Sequence, residues 1–256
     1  MKFTQVRNAT VIVEYGEKRF LVDPMLSKQG AFPGFEGTLN SHRANPTVEL
    51  PMPMDRILDV DAVIVTHLHP DHWDEAARDI VPKTMPMIVQ NEKDAGQFKA
   101  QGFVDVRILG EKTDFGGISL TKTPGQHGTD EAYKAIGEIL GDVCGVVFRH
   151  PKEKTLYIAG DTIWNKYVEQ SLKKHVPDVV VLNCGDAQVI GLGSIIMGSA
   201  DVYEVCQAAP RATIIASHME AVNHVALSRA ELRAFLDAKG MSQRVLVPED
   251  GASLAL

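Results

Sequence analysis

The sequence has little of what would mark several protein classes. Only 3 of its 256 residues are cysteine, Cys144, Cys184 and Cys206. Their scattered spacing fits neither a disulfide framework nor a thiolate metal site, and all three are read as reduced residues among apolar neighbours. Basic side chains are outnumbered, 26 Lys and Arg against 33 Asp and Glu, for a net charge of −7. No basic stripe is present, which argues against a nucleic-acid backbone as partner. No apolar run approaches the roughly 18–20 residues needed to cross a bilayer, so no membrane association is expected. The opening residues, Met1 to Arg7, lack an apolar signal core, which makes the cytoplasm the expected compartment. Repeats, low-complexity tracts and linkers are absent too, so residues 1–256 are expected to form one domain.

What remains is an ordinary globular composition, 45% hydrophobic and 23% charged. Residues 10–15 and 19–22 are short β-branched or aromatic runs separated by Gly16-Glu17, the pattern of a hairpin. Asp23-Pro24 ends it, and residues 25–54, rich in Gly, Pro, Ser and Asn, read as a long irregular loop, of the kind that walls active sites. Beyond residue 60, apolar strands alternate with helices. Strands are expected at 62–65, 87–90, 104–109, 118–122, 143–149, 155–158, 179–182, 213–216 and 244–247. Helices are expected at 73–80, 92–100, 164–174, 200–208 and 229–239. Ser228 with Glu231 three residues on is a capping-box start for the last of these, and Gly240 a stop. Sheets covered by helices follow, with strands of the first part meeting strands of the second.

The chemistry concentrates in Thr66-His67-Leu68-His69-Pro70-Asp71-His72, just past the apolar strand 62–65. In an extended chain, alternation puts His67, His69 and Asp71 on one side and leaves His72 to face a neighbouring centre. Imidazole and carboxylate are the donors that zinc, iron and manganese accept. Further donors follow other apolar runs: His127 after 118–122, Asp161 after 155–158 and His218 after 213–216. Each lies where loops from one sheet edge converge. A polar surface turn would explain one such residue but not the repeated placement.

His67-Leu68-His69-Pro70-Asp71-His72, followed in order by His127, Gly160-Asp161-Thr162 and His218, resembles the signature of the metallo-β-lactamase superfamily along nearly the whole chain. The long loop with Asn45-Pro46 and Leu50-Pro51, and the stretch His218 to His224, look like its metal-dependent hydrolase branch, related to ascorbate-6-phosphate lactonase and the phospholipase D acting on N-acyl-phosphatidylethanolamine. The resemblance implies an α/β (α+β) fold, a four-layer αββα sandwich. It also implies two divalent ions, zinc first, with manganese and iron as alternatives. His67, His69 and His127 would hold one ion, Asp71, His72 and His218 the other, and Asp161 would bridge them. True β-lactamases of this fold place a cysteine in the second site, which speaks against antibiotic hydrolysis here.

Two cations sharing a water lower its pKa from about 15.7 towards neutrality, so hydroxide is available at ordinary pH. Asp71 is the candidate proton shuttle, and Asp23 is expected either to orient a ligand histidine or to serve only as a turn residue. His224, Glu220 and Asn223 are expected near the pocket, His42 on the surface, and residues 128–141 as a lid or a plain surface helix. The leading expectation is hydrolysis of a small ester, lactone or related metabolite. A phosphodiesterase or nuclease of the same fold and a non-catalytic metal-binding protein are the alternatives. A homo-oligomer is as compatible with the sequence as a monomer.

Overall fold

The computed structural model describes residues Met1–Leu256. Three antiparallel strands open the chain, β1 (Lys2–Arg7), β2 (Thr10–Tyr15) and β3 (Lys18–Val22). The expected hairpin is β2–β3, turning at Gly16-Glu17, both at positive φ. Parallel strands β4 (Ala62–Val65), β5 (Met87–Val89) and β6 (Val106–Ile108) extend this sheet. All four residues of β4 are buried, as a parallel strand covered on both faces requires.

The second sheet begins with antiparallel β7 (Thr113–Phe115), β8 (Ile118–Pro124) and β9 (Cys144–Arg149), onto which β10 (Leu156–Ile158) also packs antiparallel. From β10 it continues in parallel through β11 (Val179–Asn183). A small separate hairpin follows, β12 (Gln188–Val189) and β13 (Gly193–Ser194). The parallel run then resumes with β14 (Thr213–Ser217) and β15 (Val245–Leu246). The chain does not finish at 244–247 as expected. A last strand, β16 (Ser253–Ala255), returns to the first sheet and pairs with β1, Phe3 opposite Leu254. Three residues are too few to show a period, and β7, β12 and β13 escaped notice for the same reason.

The two sheets enclose a core in which Phe20 meets Phe148 and Phe115 edge-on at 5.3 and 5.4 Å. Helices α1 (Met54–Leu58), α2 (Glu75–Ile80) and α3 (Glu92–Ala100) cover the outer face of the first sheet, with Ile57, Ala77, Ala95 and Phe98 against it. Helix α4 (Asp130–Leu140) lies apart from these layers, over the loop edge, against Ile195 and Ile196. Helices α5 (Lys166–His175), α6 (Ser199–Ala208) and α7 (Arg229–Ala238) cover the second sheet. This is the four-layer αββα sandwich. Helix α2 begins two residues later than read, because the Asp74 carboxylate accepts from Ala77 N at 2.7 Å and so fixes the cap. Helix α7 starts in the expected capping box, Ser228 N donating to Glu231 Oε2 at 2.9 Å.

The long loop is tethered from beneath. The fully buried Arg7 guanidinium donates to Met25 O, Ser27 O and Val48 O at 2.7–2.9 Å. The Asn223 side chain accepts from Phe35 N and Asn45 Nδ2 and donates to Thr38 Oγ1 and Leu39 O. Asn223 therefore serves the loop instead of lining the pocket.

Gly160, between β10 and the loop it feeds, has φ +70°, and a Cβ there would sit 2.3 Å from Cys144 O. Backbone cannot yield cheaply, so Gly160→Ala is expected to destabilise the fold by more than about 1 kcal/mol. Urea unfolding reads it, and an unchanged midpoint contradicts it.

Candidate metal centre

Strand ends build the site. The segment leaving β4 is folded onto the end of β3 by the buried Asp23 carboxylate, which accepts from Thr66 N at 2.7 Å and Thr66 Oγ1 at 2.8 Å. His67 to His72 thereby stand at one edge of the first sheet. Strand β8 feeds His127, β10 feeds Asp161, and β14 feeds His218, all at the facing edge of the second sheet. Six of these seven donors are buried, His69 being half-buried.

The side chains converge. His67 Nε2 and His69 Nδ1 are 3.0 Å apart. Asp161 Oδ2 lies 3.1 Å from His72 Nε2, 3.6 Å from His218 Nε2, 3.7 Å from His127 Nε2 and 3.9 Å from His67 Nε2. Asp71 Oδ2 lies 3.2 Å from His218 Nε2 and 3.9 Å from His72 Nε2. Three overlapping groups have the compactness to hold an ion: His67, His69 and His127; Asp71, His72 and His218; and His67, His72 and Asp161. The first two are the trios that the sequence resemblance implies, and Asp161 stands between them.

Hydrogen bonds at the back of each ring decide which nitrogen faces inward. His72 Nδ1 donates to Asp23 Oδ2 at 2.9 Å, which turns Nε2 toward Asp161 Oδ2, 3.1 Å away. His127 Nδ1 donates to Ile195 O at 2.8 Å, and His69 Nε2 donates to Ile139 O at 2.8 Å. The Thr66 hydroxyl proton is taken by Asp23, so its oxygen accepts from His67 Nδ1 at 3.3 Å. Asp23 thus orients two imidazoles, one directly and one through Thr66. Asn183, absent from the sequence expectations, donates to Asp161 Oδ1 at 2.7 Å and leaves Oδ2 to the cluster. It ends an apolar strand at the same edge, the signal that located Asp161 and His218. Asn8 also went unnoticed. It donates to Asp71 O and accepts from His218 N, and its turn position carries no sequence mark.

The charge pattern calls for a cation. Burial opposes charge on His72, yet Asp161, Asp23 and Asp71 around it hold its pKa well above the ordinary value. Burial likewise opposes charge on Asp161, and His72 and His218 overcome it, keeping the carboxylate well below its usual range. Burial, helped by His72 and His69, pushes His67 far down, and burial lowers His127 to about 4. The neutral His67 and His127 rings therefore turn Nε2 lone pairs toward the carboxylate oxygen that His72 also approaches. Neither ring nitrogen of the buried His218 has a hydrogen bond, despite the nearby Asp71. His218 also holds φ +58°, strain at a residue that is not glycine. Divalent ions fit this donor set.

Beside the cluster opens a cavity of about 350 Å³, walled by Phe35, Ile136, Ile139, Leu140, Val189 and Ile195, with His69, Asp71, His127 and His224 at its floor. Residues 128–141 contribute α4, whose backbone departs from helical geometry at Ile136. His224 is buried against Phe35, ring centroids 5.0 Å apart and edge-on, and burial lowers its pKa to about 4. His42 is exposed. The Glu220 carboxylate accepts from Arg229 N at 2.8 Å and Nη1 at 2.5 Å, at the start of α7.

The family described as the β-lactamase superfamily domain matches residues 18–219. The UPF0173 protein YddR of Bacillus subtilis is 52% identical over 254 residues, covering 99% of both chains. A UPF0173 metal-dependent hydrolase of Chelativorans is 28% identical over 198 residues, 75% of this chain and 76% of that one. Among solved structures, an isothiocyanate hydrolase from Delia radicum gut bacteria superposes with a TM-score of 0.98 at 49% identity, over 100% of this chain and 99% of that one.

Removing the group behind His72 and Thr66 should loosen the site without deleting a donor. Asp23→Ala is expected to weaken metal binding by about 10–100-fold. Competition with a chromophoric chelator measures this, and wild-type affinity would show that Asp23 only shapes the turn.

Proposed function

The chain belongs to the β-lactamase superfamily and is a metal-dependent hydrolase of that fold, and we propose that it binds two divalent ions and adds water to a small neutral electrophile. The carrying observation is the character of the cavity. Its walls are apolar, and no lysine or arginine lines it to pair with a phosphate or carboxylate. Lysine and arginine are what usually grips a polyanionic substrate beyond the reacting group. An uncharged substrate with a hydrophobic group suits these walls better. An isothiocyanate has this chemistry, which the 49% identical isothiocyanate hydrolase supports. Small esters and lactones share the uncharged carbon electrophile and form the second arm of the test.

His67, His69 and His127 would hold one ion, and Asp71, His72 and His218 the other, with Asp161 shared. Zinc suits these donors best, and manganese and iron are also accepted. When bound, such ions acidify water and polarise the atom double-bonded to the attacked carbon. The chain's own groups do the rest. Asp71 Oδ2 is turned toward His218 and His72, which leaves Oδ1 to accept the proton that the attacking water releases. Asp71 then returns that proton to the departing nitrogen or oxygen. Phe35, Ile139 and Val189 hold the hydrophobic group and keep bulk water from the reacting carbon. For an isothiocyanate the balance is R–N=C=S plus water giving R–NH2 and carbonyl sulfide. The C=N bond is lost, two protons go to nitrogen and the water oxygen stays on carbon. The acting protein is taken as one domain in the cytoplasm, needing neither nucleic acid nor membrane.

Elemental analysis of fully loaded protein is expected to give two ions per chain, and chelation to abolish amine release from a small isothiocyanate. Asp161→Ala should empty both positions, whereas Asp71→Asn should lower kcat by about 10²–10⁴-fold. A single ion in loaded wild-type protein would refute the paired centre. Turnover confined to phosphodiesters would refute the substrate class, and turnover of lactones but not isothiocyanates would select the second arm.

A further inference from the structure

Nearly every hydrogen-bonding side chain at the cavity is already committed to the protein. The Thr38 hydroxyl donates to Phe35 O at 2.6 Å, His127 Nδ1 to Ile195 O, and His69 Nε2 to Ile139 O. Glu36 and Asp71 bring carboxylates, which as anions only accept, and the other lining side chains are apolar or lack a donor. His224 is the exception. Its ring is more than nine-tenths buried, and neither nitrogen is hydrogen-bonded to any protein group. Nδ1 is shut in without a partner, while the side chain itself lines the cavity.

A neutral imidazole carries one N–H. A buried N–H with no acceptor is rarer in proteins than an under-used acceptor, because it forfeits the stronger interaction with water. The sealed Nδ1 therefore keeps the lone pair, and the proton resides on Nε2, the nitrogen left to face the cavity. The ring cannot readily swing away. Phe35 stands edge-on against it, the loop carrying Phe35 is held by Asn223, and the backbone O of His224 accepts from Gln188 N at 3.0 Å.

We propose that His224 is a substrate-binding residue whose Nε2–H donates to one heteroatom of the substrate, the acceptor on the unsaturated carbon or its immediate neighbour, making a fixed acceptor subsite in an otherwise apolar pocket. This rests on the reading of the cavity as a site for neutral electrophiles. It adds a geometric demand: the ligand must combine a hydrophobic body with one acceptor atom on the His224 side. The donor strengthens its bond as negative charge gathers on that atom during attack, so it favours the transition state over the bound substrate.

The test uses metal-loaded protein and two probes of similar shape, acetophenone, which has an acceptor oxygen, and ethylbenzene, which has none. Wild-type protein is expected to prefer acetophenone. His224→Phe, of similar ring shape but without a donor, should lose about 3–10-fold of that preference, the value of one neutral hydrogen bond, with ethylbenzene binding and metal content unchanged. His224→Gln, which restores an N–H, should recover part of it. With a turned-over substrate, His224→Phe should lower kcat by about 10²-fold, more than it raises KM. Nitrogen-resolved NMR of the wild-type imidazole should show the proton on Nε2, a reading that needs no variant to fold. A proton on Nδ1, or an unchanged probe preference in His224→Phe, overturns the proposal. The two readings fail separately. Protein that hydrolyses no neutral electrophile yet keeps the His224-dependent preference loses the function and keeps the subsite, and the converse result keeps the function alone.

Discussion

The arrangement depends on one constraint: imidazole lone pairs must be aimed inward before any cation arrives. An imidazole in solution divides its proton between two nitrogens and turns freely, and both freedoms oppose binding. Here they are removed from behind. Asp23 accepts from Nδ1 of His72 directly and, through the Thr66 hydroxyl, orients Nδ1 of His67, while the main-chain oxygen of Ile195 accepts from His127 Nδ1 and that of Ile139 from His69 Nε2. Four rings are thereby fixed in tautomer and orientation by groups that never meet the ion. Asp23, Asp71 and Asp161 around His72 favour its charged form, so a cation arriving there would displace a proton from that ring.

These donors belong to two different sheets. His67 to His72 leave the first, and His127, Asp161 and His218 leave the second. An ion gripped from both sides would tie the edges of the sandwich together, adding its binding free energy to that of the core between Phe20 and Phe148. The link also runs to the cavity wall. His69 leans on the last turn of α4 through Ile139 O, so the helix that walls the pocket also orients a candidate donor.

Much of this was legible in the chain because the donors sit where apolar strands stop. Strand β4 was read residue for residue, since four consecutive β-branched or small apolar residues allow little else, and α3 likewise, between Asn91 and Gln101. His67, His69, Asp71, His72, His127, Asp161 and His218 followed from the strand ends and the resemblance, and all seven lie together. Illegible were the contacts between segments far apart in sequence. Nothing local shows that Arg229, nine residues on, pairs with the Glu220 carboxylate. Asn183 and Asn8 act through single amides, and β16 is defined only by its pairing with β1.

His218 shows how backbone shape narrows chemical choice. At φ +58° its main chain lies in a region that β-branched residues avoid and that asparagine, aspartate and glycine enter most easily. Gly185 enforces the path from the other side, since a Cβ there would fall 2.2 Å from His218 O. Any drift at position 218 is thus steered toward another short polar side chain that can itself bind a cation, or toward glycine, which cannot. The aliphatic residues that would convert the centre into ordinary core are disfavoured by geometry before selection on activity acts. The cavity walls at Val189 and Ile139 carry no such condition, since neither backbone lies in the left-handed region.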